Sequence, residues 1–486
     1  RAPFSVGRVV AWLGLEGTAA AAAESRPTIK ERTSDTDRRS GLLTFYADSD
    51  KGQVWLELPA PAKDGEIGIY LYIEGLLTGL GSNPVGLDRG QVGAARLVRF
   101  RRLGGKVFLE QPNLAFRART DDAAEAKAGR ESFATSVLWG ADIAAQDRDG
   151  RLLVDFTPFL LRDAHDIIGT LKLTEQGVFL LDATRSAVDL ANCLAFPENV
   201  EFESLLTFTS SEPGTEVLAT APMPQAVSLV LHQSFVKLPD DGYRPRAFDP
   251  RAGSFAIRFR DTAAALTESP DVRLLVRHRL EKTNPAAERS PVKKPLVYYI
   301  DPGAPEAVRT ALIEGTRWWA RAFEAAGFVD AFRVAVLPPG AHPLDVRYNV
   351  VQWVHRATRG WSYGGGVVDP RTGEMIKGQV TLGSLRVRQD RLIFEGLLGT
   401  EETGSGSATD PVQLGLWRIR QLAAHEVGHT LGLNHNFAAS TYGRASVMDY
   451  PAPLVTVGAD GRLNVAEAYT NAVGDGDLHA IRYAYV

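Results

Sequence analysis

Cysteine, methionine and histidine are all scarce, at one, three and nine residues in a chain of 486. The lone cysteine, Cys193, excludes an intramolecular disulfide framework. It leaves an oxidising compartment open, because a chain long enough for roughly two to four domains needs no such staples. No run approaches about 18 uncharged apolar residues, so no membrane span is expected. A basic excess is missing too: formal net charge is −4, and no nucleic acid is expected as a partner. What is present is an ordinary globular composition, 44% hydrophobic and 23% charged.

The chain opens at Arg1 rather than a methionine, so its natural start is expected upstream. "RAPFSVGRVVAWLGLEGTAAAAAES" carries two arginines, an apolar stretch and an alanine run, the layout of a secretory signal peptide, with Glu16 out of place. Residues 24–40 are charged without an apolar period and read as a disordered or draped leader. Residues 1–40 are therefore set apart from the folded chain.

From Gly41 to about residue 285, short runs such as "GEIGIYLYI" and "AVSLVLHQSFVKL" alternate with Gly, Pro, Asp and Asn. This predicts a β-rich region of one or two domains. "EKTNPAAERSPVKKP" (281–295) reads as a linker. The texture then changes, and residues 286–486 mix strands with helices. Residues 301–328 predict one helix closed by Gly327, and "GGGVVDPRTGEMIKGQVTLGS" predicts a hairpin turning at "DPRTGE". Asp410 reads as an N-cap, with Pro411 at the first helical position and Gln413 completing a capping box.

That helix leads into "QLAAHEVGHTLGLNHNF" (421–437), which holds a third of the histidines. His425 and His429 are four apart, so they share a helix face one turn apart and can grip one metal. Glu426 projects about 100° round the helix, better placed to take a proton from a water than to ligate. Gly432 permits the left-handed turn that redirects the chain, after which His435 can supply a third ligand. Three ligands and an open position suit a catalytic zinc, whose bound water is acidified to a pKa near 7. A shuffled chain of this composition contains HExxHxxGxxH with a probability on the order of 10⁻⁵.

These five residues match the motif of the metzincin metallopeptidases, which the sequence resembles. The resemblance implies an α+β architecture: the β-rich N-terminal region, then a zincin domain of small mixed sheet, backing helix, active-site helix, Met-turn and C-terminal helix. It implies Zn²⁺ as cofactor and Met448, in "ASVMDYPAP", as the turn methionine beneath the metal. Tyr450 would ligate zinc or steady the oxyanion, and Asp477 would cap the last helix, with Leu478, Ile481 and Tyr485 on its packed face. Outside the motif, "GSNPVGLDRGQVG" and "DVRYNVVQWVHRATRGWSYGGGVVDPRTGE" resemble bacterial extracytoplasmic zinc-dependent proteases, which usually continue beyond the position of Val486.

The resemblance implies a protein or peptide substrate bound as an extended strand, with "KGQVTLGSL" (377–385) as the edge that receives it. Cys193 is expected to be buried and inert; the other possibility is a thiolate latch on the metal. Rivals to an endopeptidase with Glu426 as general base stay open. One is an aminopeptidase using Glu467 as third ligand. The others are a non-catalytic zinc-containing binding module and a zinc hydrolase of a non-peptide substrate.

Overall fold

Two long β-forming runs of the upstream region become neighbouring strands. Asn199–Thr209 and Ala226–Lys237 pair antiparallel from Asn199↔Val236 to Thr209↔Ala226. They lie in a 13-stranded sheet that spans Asp37 to Lys237. The computed structural model describes residues 26–343, 345–358 and 360–486, so the signal-like stretch 1–25 lies outside the described residues.

Residues 26–40 depart from the draped leader expected of them. Thr28 and Glu31 form a reciprocal capping box around the short helix Ile29–Arg32, and Asp37–Ser40 pairs with Thr44–Asp48. The pairing is carried by backbone at the end of the sheet, where mostly exposed side chains need no apolar alternation. Phe45, Tyr72, Phe100, Phe156, Phe159, Phe202 and Phe235 fill the upstream core with rings, several in tilted or stacked contact. Cys193 belongs to this core. Its thiol donates to the Asp189 carbonyl at 3.3 Å, and burial pushes it up to about 12.

A three-stranded sheet, Phe116–Arg117, Ala256–Asp261 and Asp271–Leu275, leads towards the downstream region. The next strand, Arg277–His278, already pairs with the downstream sheet. The proline-bearing stretch that follows is folded rather than free, for Ser290–Pro291 pairs with Phe328–Val329.

Downstream, β1 (Leu296–Ile300), β2 (Phe332–Val336), β3 (Asn349–Val354), β4 (Tyr363–Val368) and β5 (Glu374–Gly383) form a mixed sheet. Strands β1, β2, β3 and β5 run parallel, and β4 is antiparallel to β5. The predicted single helix at 301–328 is two, α1 (Glu306–Arg317) and α2 (Trp319–Ala325), meeting at Trp318. Helix α3 (Leu385–Leu398) precedes α4 (Pro411–Thr430), and α5 (Asp475–Tyr485) closes the chain. One core joins β1, α1, α2, α4 and α5, with Trp319 fully buried and donating to the Ala424 carbonyl at 2.8 Å.

The hairpin at 363–383 forms as expected, with its turn closed by Gly373 donating to Asp369. The edge assignment is corrected. Residues 377–385 fall in β5 and just beyond it, and β5 is flanked by β3 on one side and β4 on the other. The outer strand is β4, whose far side pairs with no strand among the described residues.

Candidate metal centre

Helix α4 starts where the sequence places it. Asp410 accepts from Val412 N–H at 2.8 Å, and also from Gly404 and Gly406. No capping box with Gln413 forms among the described residues. The helix ends at Leu431, and Gly432 adopts φ +93°. A side chain there would meet the Val276 carbonyl at 1.9 Å, so only glycine fits this turn.

Three imidazoles converge beyond that turn and along the helix. One ligand nitrogen each from His425, His429 and His435 lies within 4.8 Å of the others. Nδ1 of His425 is 2.7 Å from the Val447 carbonyl, and Nδ1 of His429 is 2.8 Å from that of Leu433. A carbonyl only accepts, so each Nδ1 carries the proton and each Nε2 presents a lone pair. The Nε2 atoms of His425 and His435 are buried without a hydrogen-bond partner. Burial, reinforced by the neighbouring imidazoles, pushes His425 down to about 3 and His429 to about 4, holding both rings neutral. Neutral rings with unpartnered nitrogens aimed at one point fit a metal ion.

Glu426 is 2% exposed and its Oε2 has no partner. Burial pushes its carboxyl up to about 8, against the opposing pull of Arg418 and the Gly364 N–H. Strand β4 lies close over this part of α4. A Cβ on Gly364 would stand 2.0 Å from the Glu426 carbonyl, so this position beside the site takes only glycine. The charge of Arg418, eight residues earlier on the same helix, acts on Glu426, and no three- or four-residue spacing marks the pair in the sequence.

Met448 is buried under the helix: a Cβ on Gly428 would lie 2.3 Å from its sulfur. Its carbonyl accepts from Asn436, next to the third histidine. Asp477 caps the last helix from its third position rather than from the N-cap itself, its side chain accepting from the N-cap N–H of Gly474 at 2.8 Å. The buried carboxylate also accepts from Ser446 Oγ at 2.5 Å and Val447 N–H at 2.9 Å. It thereby fixes the carbonyl that holds His425. The ring of Tyr450 stacks 4.8 Å from that of His425 and lies 4.6 Å from that of His435.

Residues 407–486 match a family described as Met-zincin. Together with the histidine cluster, that match supports a metzincin-like domain at this end of the described residues. Residues 90–283 match a domain of unknown function (DUF5117). No curated protein matches the chain.

The other candidates lie apart from the metzincin-like centre. Glu467 and His479 are exposed and outside the cluster. His355 bonds Ser384 Oγ through Nδ1 at 2.9 Å. Cys193 sits in the upstream core, away from the cluster's own. No helix among the described residues is long and apolar enough to cross a membrane.

Proposed function

We propose that this chain is a zinc-dependent endopeptidase, with His425, His429 and His435 as the zinc ligands. The observation that carries the reading is the convergence of three imidazoles beside a buried carboxyl with one unpartnered oxygen, under a strand with an open edge. Zinc, when bound, supplies Lewis acidity towards a scissile carbonyl and acidifies the attacking water. Glu426, buried beside the ligands, takes that water's proton and returns it to the leaving amine. Tyr450, beside the ligands, donates its phenol O–H to the developing oxyanion. Met448 packs beneath the ligands as the turn methionine.

An extended peptide pairs with β4 through backbone hydrogen bonds, the mode that accepts many sequences in one register. An extracytoplasmic setting, periplasmic or secreted, goes with this reading. The test compares the full chain with Glu426→Gln. Equal zinc content, internal cleavage of a peptide library by the parent alone, and loss of cleavage on chelation are expected. Zinc retained with no peptide cut by the parent would point to a binding module or a non-peptide substrate; trimming only from N-termini would point to an aminopeptidase.

A further inference from the structure

The loop that carries the third histidine does not stand alone. Ser254, from the upstream half, bridges antiparallel to Leu433. Asn434 N–H donates to the Gly253 carbonyl at 2.9 Å, and Phe255 N–H donates to that of Gly432 at 2.7 Å. On the other side, Val276 N–H donates to the Phe255 carbonyl at 2.9 Å. The backbone of Phe255 is thus fixed at both of its polar groups, between Gly432 in the turn that ends the site helix and Val276.

Its ring lies beside a candidate ligand and is partly exposed. The centroid is 5.5 Å from that of His429, yet the residue is 37% exposed while its neighbours Val276 and Leu433 are buried. An apolar ring left in water forgoes roughly 25 cal/mol per Å² of burial, and its tethered backbone gives it no route inward. Arg277 N–H, next in sequence to Val276, donates to Gly373 in the turn joining β4 to β5. Phe255 therefore stands near the turn end of the open strand, beside the metal ligands.

We propose that Phe255 is a specificity-determining residue: it makes the apolar contact for the substrate side chain that lies nearest His429, and favours aromatic or large aliphatic residues there. This rests on the peptidase reading for the identity of the substrate. On this view the upstream half contributes one wall of the cleft.

The experiment uses the full zinc-loaded chain and its Phe255→Ala and Phe255→Leu variants. Each is scored for zinc content, for cleavage-site preference on a mixed peptide library, and for inhibition or binding by acetylphenylalanine hydroxamate against acetylglycine hydroxamate. The parent is expected to prefer the phenylalanine compound by about tenfold or more, Phe255→Ala to bring the ratio to within about twofold, and Phe255→Leu to keep part of it. Zinc content stays equal, and the apolar preference at one subsite of the library flattens in Phe255→Ala. An unchanged hydroxamate ratio in zinc-replete Phe255→Ala overturns the assignment. Should Phe255→Ala lose zinc, Phe255→Leu carries the comparison, and a parental ratio there overturns it equally. A library left intact by the parent, with the hydroxamate ratio still collapsing in Phe255→Ala, would sink the peptidase reading while leaving Phe255 as a ligand contact.

Discussion

His232 in the upstream sheet and His425 in the site helix are alike by local measures. Each is nearly inaccessible, each is driven by burial to a low pKa (about 4 and about 3), and each has a ring nitrogen without a partner. The carboxyls beside them match as well, since burial pushes both Glu201 and Glu426 up to about 8. What differs is direction. His425 joins two other imidazoles at one point, the one such group among the described residues, next to an open strand edge. His232 faces Glu201 at 4.0 Å inside the junction of the two halves. Burial and a shifted pKa mark a polar group under constraint; convergence on a shared point marks a site.

The carboxyl pair gives the sharpest way to break that contrast. Glu426→Gln is expected to lower kcat/KM by about 10³-fold at unchanged zinc content, whereas Glu201→Gln, which mimics a carboxyl already held neutral, stays within about twofold. Equal losses in a peptide-cleavage assay would show that burial alone explains both residues. The histidine pair comes next. His425→Ala should weaken zinc binding by at least about 100-fold in a competition titration, and His232→Gln should still bind one zinc per chain.

A third experiment asks whether the halves are separable at all. Arg356, buried, donates to both oxygens of Asp88 at 2.7 and 3.0 Å, and its other nitrogen donates to the Trp361 carbonyl just before β4. Asp88→Ala strands that guanidinium and should cost about 3–5 kcal/mol in urea unfolding. Independent halves would instead give two transitions with the downstream one unmoved.

The smallest effects concern pH and the thiol. Burial pushes His278 down to about 4. An unfolded histidine titrates near 6.5, so between those values the unfolded chain binds a proton that the native chain refuses. The stability it contributes is complete above about pH 6.5 and is lost as pH falls through about 4. Glu201 works in the opposite sense, so the readout is the difference between parent and His278→Gln, which should shrink by roughly 2–3 kcal/mol from pH 7 to pH 4. Cys193→Ala should leave cleavage within about twofold, because the thiol lies in the other core; a rise in activity would restore the latch.

Much of the site was legible because its signals are local. The four- and six-residue offsets of the histidines, Asp410 with Pro411, and the turn at 369–373 each depend on residues close in sequence. Which hairpin strand lies outermost was not legible, since period-two alternation is the same for an edge and an interior strand. Asp477 was legible only in part: a carboxylate at a helix start reads as a cap, and it does accept from Gly474, but its bonds to Ser446 and Val447 depend on where the preceding turn lands. Phe255 and Asp88 were out of reach. Their partners His429 and Arg356 lie far along the chain, and no spacing rule spans such a gap.

A strand whose amides and carbonyls await a guest is equally an invitation to a second copy of the same molecule. Strand β4 offers only six residues, three of them consecutive glycines, and its register slips between Val367 and Val368. Such a short, bare and interrupted rail gives a rigid neighbour little length to zip onto. The same shortness that suits a flexible peptide on the proposed reading works against edge-to-edge pairing of two copies.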